Sequence, residues 1–487
     1  MNIMRQCKPS YLAMSLVIAL TACNTDELNS YQGEGGKIEP GGFMYFFENG
    51  LPSSITTTSS NPITISNTHY KDGQNALKWR FTPYSELVFS QDIGYKTDDS
   101  EITPYTFMAW IYNEIPSDQS LTFQFGHGDS PQIQFKYGLN FTGWRGISVP
   151  FRDMDGTPSA GMNRLTITAP DTSGTLYFDQ TMMAVPVDNR WPTADIQQPF
   201  VNPDVVNMAS KNWTALLMYD QMLRAEQPSF NYDLTFDDSQ GDSAVLYQNF
   251  DKHLGVNSQL IVSQQKIDAN LAKYQAFMIE QNGDGSYTGK PLDHPKRHNF
   301  LKTGIVTDDT LAMLTDTMSI RTLGKAMLET AKYLRSESLS DENRAALEKA
   351  FVDASRYAFD QGWEGGSGFQ IITHVGYQTR EFFDALFIAR QLLDKHKLIE
   401  KAQQAMMWFN ATGRVYEPEQ EINASNVDIL NTQLQWMTKS FLLLPDQTER
   451  QTMLHQLQSW LSTTLLSSDG LGGGFKPDGS VFHHSQH

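Results

Sequence analysis

The chain has 487 residues, 40% of them hydrophobic and 11% aromatic, which is enough for two or three folded domains. Its formal net charge of -18 excludes nucleic acid as a general partner. Two cysteines, Cys7 and Cys23, both lie near the N-terminus, so no disulfide framework is expected.

The chain opens with Arg5 and Lys8, then a short apolar run from Tyr11 to Leu20. That run is too short to span a bilayer as a stable helix. Leu20-Thr21-Ala22-Cys23 follows, the cleavage pattern of a bacterial lipoprotein. Residues 1–22 therefore read as a lipoprotein signal peptide, with Cys23 as the lipidation site. Polar, Gly-rich residues 23–40 read as a tether. The expected location is the outer membrane, cell surface or periplasm of a Gram-negative bacterium, with membrane contact through the lipid anchor only. Asn24 is not the aspartate that retains such lipoproteins at the inner membrane.

From residue 41 to 190 the apolar period is two. Phe107, Ala109 and Ile111 alternate with Met108, Trp110 and Tyr112. Leu121, Phe123 and Phe125 repeat the rhythm, as do Ile133, Phe135 and Tyr137, with turn residues between the runs. This pattern predicts an antiparallel β-sandwich. Residues 191–204, with Pro192, Pro199 and Pro203, read as a linker.

Residues 205–487 carry helical periodicity. Leu347, Ala350, Phe351, Ala354 and Ala358 recur at three- and four-residue spacing behind a capping Ser340. Met453, Leu454, Leu457, Trp460 and Leu461 form a second stripe. A helical bundle and a helical solenoid both fit these patterns. The fold class is thus β followed by α.

Chemistry is concentrated at the last residues, Gly472-Gly473-Gly474-Phe475-Lys476-Pro477-Asp478-Gly479-Ser480-Val481-Phe482-His483-His484-Ser485-Gln486-His487. Upstream stand Asn140-Phe141-Thr142-Gly143-Trp144-Arg145, Arg297-His298, Asp360-Gln361-Gly362, Thr373-His374-Val375-Gly376-Tyr377 and Asn426-Val427-Asp428-Ile429-Leu430-Asn431-Thr432. In this order the segments resemble motifs of the chondroitin sulfate ABC lyases, polysaccharide lyase family 8, over a stretch from about Met44 to the last residue.

The resemblance implies an N-terminal jelly roll and an incomplete (α/α) toroid whose loops line a substrate groove. It implies β-elimination at a uronic acid of chondroitin or dermatan sulfate, with hyaluronan a secondary candidate. His484 falls on the family's catalytic histidine. His483 stands where the nearest relatives often carry arginine, which puts a fixed positive charge there in question. The family's catalytic tyrosine, and its supporting arginine and glutamate, have no counterpart in these residues. The toroid is accordingly expected to be truncated and this chain alone inactive. The alternative is a surface lipoprotein that binds polysaccharide without cleaving it.

His374 and Tyr377, expected in a loop after Gly365-Gly366-Ser367-Gly368, fit a groove wall that stacks on a sugar ring. Arg297 and His298 belong to the most basic stretch, suited to sulfate and carboxylate oxygens or to a solvated loop. Asn426, Asp428 and Asn431 precede a helix and either cap it or reach the groove. Pro295 and the missing glutamate argue against zinc at His294 and His298. Asn282-Gly283-Asp284-Gly285 lacks the ligand series of an EF-hand. No catalytic cofactor is expected. By resemblance, Phe46, Asp72, Asn75 and Asp179 would hold a structural calcium, magnesium or sodium ion in the sandwich. The expected partner is a sulfated glycosaminoglycan, and the expected state a monomer.

Overall fold

In a computed structural model, the structure describes residues 44–71, 73–98, 104–186, 200–203, 237–293, 318–367, 375–412, 427–464, 474–475 and 481–482. The alternating region forms twelve strands: β1 (Met44–Tyr45), β2 (Ile55–Thr57), β3 (Thr64–Ser66), β4 (Ala76–Phe81), β5 (Glu86–Ser90), β6 (Tyr105–Asn113), β7 (Ser120–His127), β8 (Ser130–Gly138), β9 (Gly143–Pro150), β10 (Asp155–Gly156), β11 (Arg164–Thr168) and β12 (Gly174–Pro186). One sheet runs β3-β4-β12-β6-β9, with β1 also on β12; the other runs β10-β8-β7-β11-β5-β2. All their pairings are antiparallel.

Alternation explains the core between the sheets. Phe107, Ala109 and Ile111 point inward with Leu121, Phe123, Phe125, Ile133, Phe135 and Tyr137. Phe123 and Phe135 are cross-strand partners whose rings stack at 4.7 Å. Such a pair contributes about 0.5–1.5 kcal/mol beyond area burial.

The opposite face of β6 is buried as well. Met108, Trp110 and Tyr112 join one apolar cluster with Trp144, Tyr177, Tyr287, Leu292, Phe359 and Trp363. The first sheet is therefore a middle layer, covered by the second sheet on one side and by helical-region residues on the other. A sheet covered on both faces is apolar on both, unlike a half-solvated one.

Phe200 to Pro203, from the expected linker, run along β8. Val201 bridges Tyr137, and the Gly138 N–H donates to the Phe200 carbonyl at 2.6 Å. This part of the linker is thereby held on the sandwich.

The helices described are α1 (Asp242–His253), α2 (Gln264–Gln275), α3 (Ile320–Leu334), α4 (Asp341–Ala358), α5 (Val375–Ile388), α6 (Arg390–Lys395), α7 (Ile399–Thr412), α8 (Val427–Leu442) and α9 (Gln447–Thr464). Ser340 caps α4, its side chain accepting the Asn343 N–H at 3.2 Å. The α4 stripe is buried at Leu347, Phe351, Ala354 and Ala358, and α9 buries Met453, Leu454 and Leu457. Helix α3 packs on α5 and α4, α7 on α8, and α8 on α9. Among the described residues, no helix is long and apolar enough to cross a membrane.

Candidate active site and the joint that carries it

Two of the sequence motifs meet in space. Helix α4 runs into a π-helical turn, Phe359–Trp363, where Gly362 has φ +94°. That turn packs against the start of β9, where Gly143 has φ +77°. A Cβ on Gly143 would lie 2.9 Å from the Asp360 carbonyl oxygen, and one on Gly362 would lie 2.8 Å from the Trp144 carbonyl oxygen. Both positions need a left-handed backbone and room for a close chain approach, which glycine alone combines cheaply.

Charged groups complete the joint. The Arg145 guanidinium donates to Glu364 at 3.0 Å and to the Trp144 carbonyl at 2.8 Å. Lys401 on α7 donates to the same Glu364 oxygen at 2.7 Å. Burial raises the Glu364 pKa, but Lys401 and Arg145 outweigh it and hold the carboxyl below its usual range. Lys71, from the sandwich, is 1% exposed. Its ammonium donates to the Leu292 and Gln361 carbonyls at 3.2 and 2.9 Å and sits 4.3 Å over the Trp110 ring. Asp360 accepts the Tyr287 N–H at 2.7 Å, and burial pushes its pKa up to about 6.

Sequence reading found the two motifs but missed Lys71, Glu364 and Lys401. The available signal was charge beside glycine in two segments bearing no evident catalytic group. Partners that lie far apart in sequence leave no spacing pattern.

Residues 359–367 are followed by α5 after only seven more. Tyr377 belongs to the first turn of α5, which corrects the expected loop: the apolar periodicity of Phe382, Phe383, Leu386 and Phe387 extends back to Val375. Likewise α8 begins at Val427, so Asp428 and Asn431 are helical rather than preceding a helix.

Helices α5 and α8 pack together. Phe383 meets Trp436 at 5.2 Å, and the buried Lys439 pairs with Asp384. One turn on, the Tyr247 ring lies 5.9 Å from Phe387 while its hydroxyl donates to the Leu442 carbonyl. Contacts thus advance in the same direction along both helices, which makes them parallel. Their N-terminal ends, carrying positions 377 and 431, lie on one side of the helical domain. Aligned N–H groups make such ends favourable for anions.

In the Gly-rich final segment, Gly474–Phe475 pairs antiparallel with Val481–Phe482, two residues before His484. Arg297, His298, His374, Asn426, His483, His484, Asp72 and Cys23 lie outside the described residues.

Of the residues expected to hold a sandwich cation, Asp179 is fully buried where β4 gives way to β1 along β12. Its carboxylate accepts the N–H groups of Lys71 and Gln180, both at 2.7 Å. Phe46 directly follows β1, which pairs with β12 at Thr181. The Asn75 side chain donates to Glu48 at 3.2 Å.

The chain matches a family model described as "Lyase, N terminal" over residues 42–200, and one described as "Lyase, catalytic" over residues 238–487. It is 51% identical over 447 residues to a chondroitin sulfate ABC exolyase of Proteus vulgaris, covering 92% of this chain and 45% of that protein. A chondroitin sulfate ABC exolyase of Bacteroides thetaiotaomicron is 30% identical over 446 residues, covering 91% and 43%. The chain thus spans a little under half the length of these relatives. Among solved structures, a family 11 carbohydrate-binding module of Clostridium thermocellum Lic26A-Cel5E overlays 30% of this chain and 95% of the module. That overlay has 14% identity and a TM-score of 0.23. With the catalytic model covering just over half its residues, behind the matching N-terminal one, the chain belongs to the lyase family of the chondroitin sulfate ABC lyases.

Proposed function

We propose that the protein is an exported glycosaminoglycan lyase that cleaves chondroitin and dermatan sulfate by β-elimination, with hyaluronan as a secondary substrate. The observation that carries this reading is the catalytic family match across residues 238–487, which takes in every candidate substrate residue. Both relatives described above are named exolyases, which favours exo action.

Elimination needs three things: a neutralised uronate carboxylate, a base for the C5 proton, and an acid for the departing glycosidic oxygen. In this reading His484 handles the proton, and Asn426 and Asn431 help hold the carboxylate. Arg297, His298 and His483 face sulfate and carboxylate oxygens, while His374 and Tyr377 line the sugar-stacking wall. The parallel N-terminal ends of α5 and α8 support this assignment, because they bring two of these segments to one side of the domain. A structural calcium, magnesium or sodium ion at Phe46, Asp72, Asn75 and Asp179 belongs to the same proposal. It is supported by the Lys71 N–H bond to Asp179, which holds the residue before Asp72 against β12.

The test uses the gene's full reading frame. His484→Ala should abolish the unsaturated uronate chromophore with substrate binding largely kept, since the imidazole acts mainly in the transition state. His374→Ala should raise KM more than it lowers kcat. Residues 1–487 by themselves should give no chromophore. Unimpaired turnover in His484→Ala would overturn the assignment, and polysaccharide binding without cleavage by the full-length protein would favour a binding lipoprotein.

A further inference from the structure

Three side chains from separate parts of the chain converge at the edge of the domain joint. His69 lies between β3 and β4, and Glu114 directly follows β6. Asp284 sits in the turn between β13 (Glu280–Gln281) and β14 (Tyr287–Thr288), in the helical region. One potential ligand atom from each lies within 4.8 Å of the others. His69 and Asp284 are 215 residues apart, yet Nε2 and Oδ2 are separated by 3.1 Å.

Each group is oriented by a second partner. The His69 ring is 2% exposed, stacked on Tyr112 at 4.1 Å and met edge-on by Tyr177 at 4.6 Å. The Tyr177 hydroxyl donates to Glu114 Oε1 at 2.5 Å. The Ser286 N–H and hydroxyl donate to Asp284 Oδ1, leaving Oδ2 turned to the imidazole. Outer groups that fix each ligand's orientation are a recurring property of metal sites.

We propose that His69, Glu114 and Asp284 form a divalent transition-metal site, of the zinc class, that staples the sandwich to the helical region. One imidazole and two carboxylates suit zinc or manganese better than calcium or magnesium. Tetrahedral ligands about 2.0–2.2 Å from a metal lie roughly 3.3–3.6 Å from one another. The His69–Asp284 pair is already near that spacing. Glu114 and Asp284 are exposed, so their carboxylates can close the remaining distance, with water as fourth ligand. Two carboxylates beside a neutral imidazole match a dication in charge. Lys78, 5.0 Å over the Tyr177 ring, is the protein cation that would compete for the same carboxylates.

The test is titration of the chelator-treated, full-length protein with zinc chloride by calorimetry, and with cobalt(II) by visible absorption. The wild type should bind one more equivalent of zinc than His69→Gln, Asp284→Asn or Glu114→Gln. Cobalt should give tetrahedral bands in the wild type that all three variants lose. Zinc should raise the unfolding temperature of the wild type and leave that of His69→Gln unchanged. Comparison with the variants removes zinc held elsewhere, for instance by His483, His484 and His487. Asp179→Asn should keep this equivalent, which separates the site from the sandwich cation. Glu114→Gln alters an exposed group and keeps the test informative if His69→Gln does not fold. Equal zinc stoichiometry and affinity in wild type and variants would overturn the proposal and leave a hydrogen-bonded interface.

Discussion

The nearest atom that a side chain on Gly143 would meet is the backbone carbonyl oxygen of Asp360, 2.9 Å away. Backbone meets backbone there, so no side-chain rotation can relieve the contact. The segments 140–145 and 360–362 are therefore two halves of one joint between the sandwich and the helical region.

Gly143→Ala should weaken that joint. Left-handed strain alone costs roughly 1–3 kcal/mol, and the clash adds to it. Gly50 also has positive φ, +95°, but nothing lies within 4 Å of its Cβ position. Gly50→Ala thus reports strain without contact. Urea unfolding should place Gly143→Ala clearly below Gly50→Ala, and equal midpoints would show that the close approach has no energetic weight.

Arg145→Met leaves Glu364 buried with Lys401 alone. Removing one partner of a buried ion pair typically costs about 3–5 kcal/mol. Because the Glu364 carboxyl is held below its usual range, its contribution is present above the unfolded pKa and is lost as pH falls through the folded one. Glu364→Gln should be less stable than the wild type at neutral pH and should lose less on acidification. Parallel pH–stability curves for the two proteins would contradict this.

Asp360 works in the opposite sense. Its folded pKa of about 6 lies above the ordinary 3.8, so the folded state binds the proton more tightly. Stability should fall as pH rises from about 4 to 6, by about 3 kcal/mol if the whole shift is realised. Asp360→Asn retains an acceptor for the Tyr287 N–H and should flatten that part of the curve. Chemical unfolding between pH 4 and 7 measures it; an unchanged slope in the variant would assign the dependence to other groups.

Cys23→Ser should release the protein from the membrane fraction or leave it unprocessed, because the expected lipid is attached there. Fractionation of cells expressing the full-length variant decides the point. A variant that still pellets with outer membranes would refute lipidation at Cys23.

Local pattern was a good guide wherever neighbouring residues set the structure. Phe107, Ala109 and Ile111 do face one core, and Ser340 does cap the helix carrying Leu347 and Phe351. Element ends were less legible. Tyr377 read as a loop residue because it follows Gly365-Gly366-Ser367-Gly368, and Asn431 read as preceding a helix. Packing of α5 against α3 and α8 instead favours helix from Val375 and Val427 onward.

The order of β then α, the periodicities that assign inward faces, and the family motifs with their spacing are all legible along the chain. Those depend on residues a few positions apart, where geometry along one strand or helix relates them directly. What covers Met108, Trp110 and Tyr112, the pairing of Arg145 with Glu364, and the reach of His69 to Asp284 emerge in the folded chain alone. Each of those relations joins residues far apart in the chain, where proximity is set by how two domains dock and no local period records it.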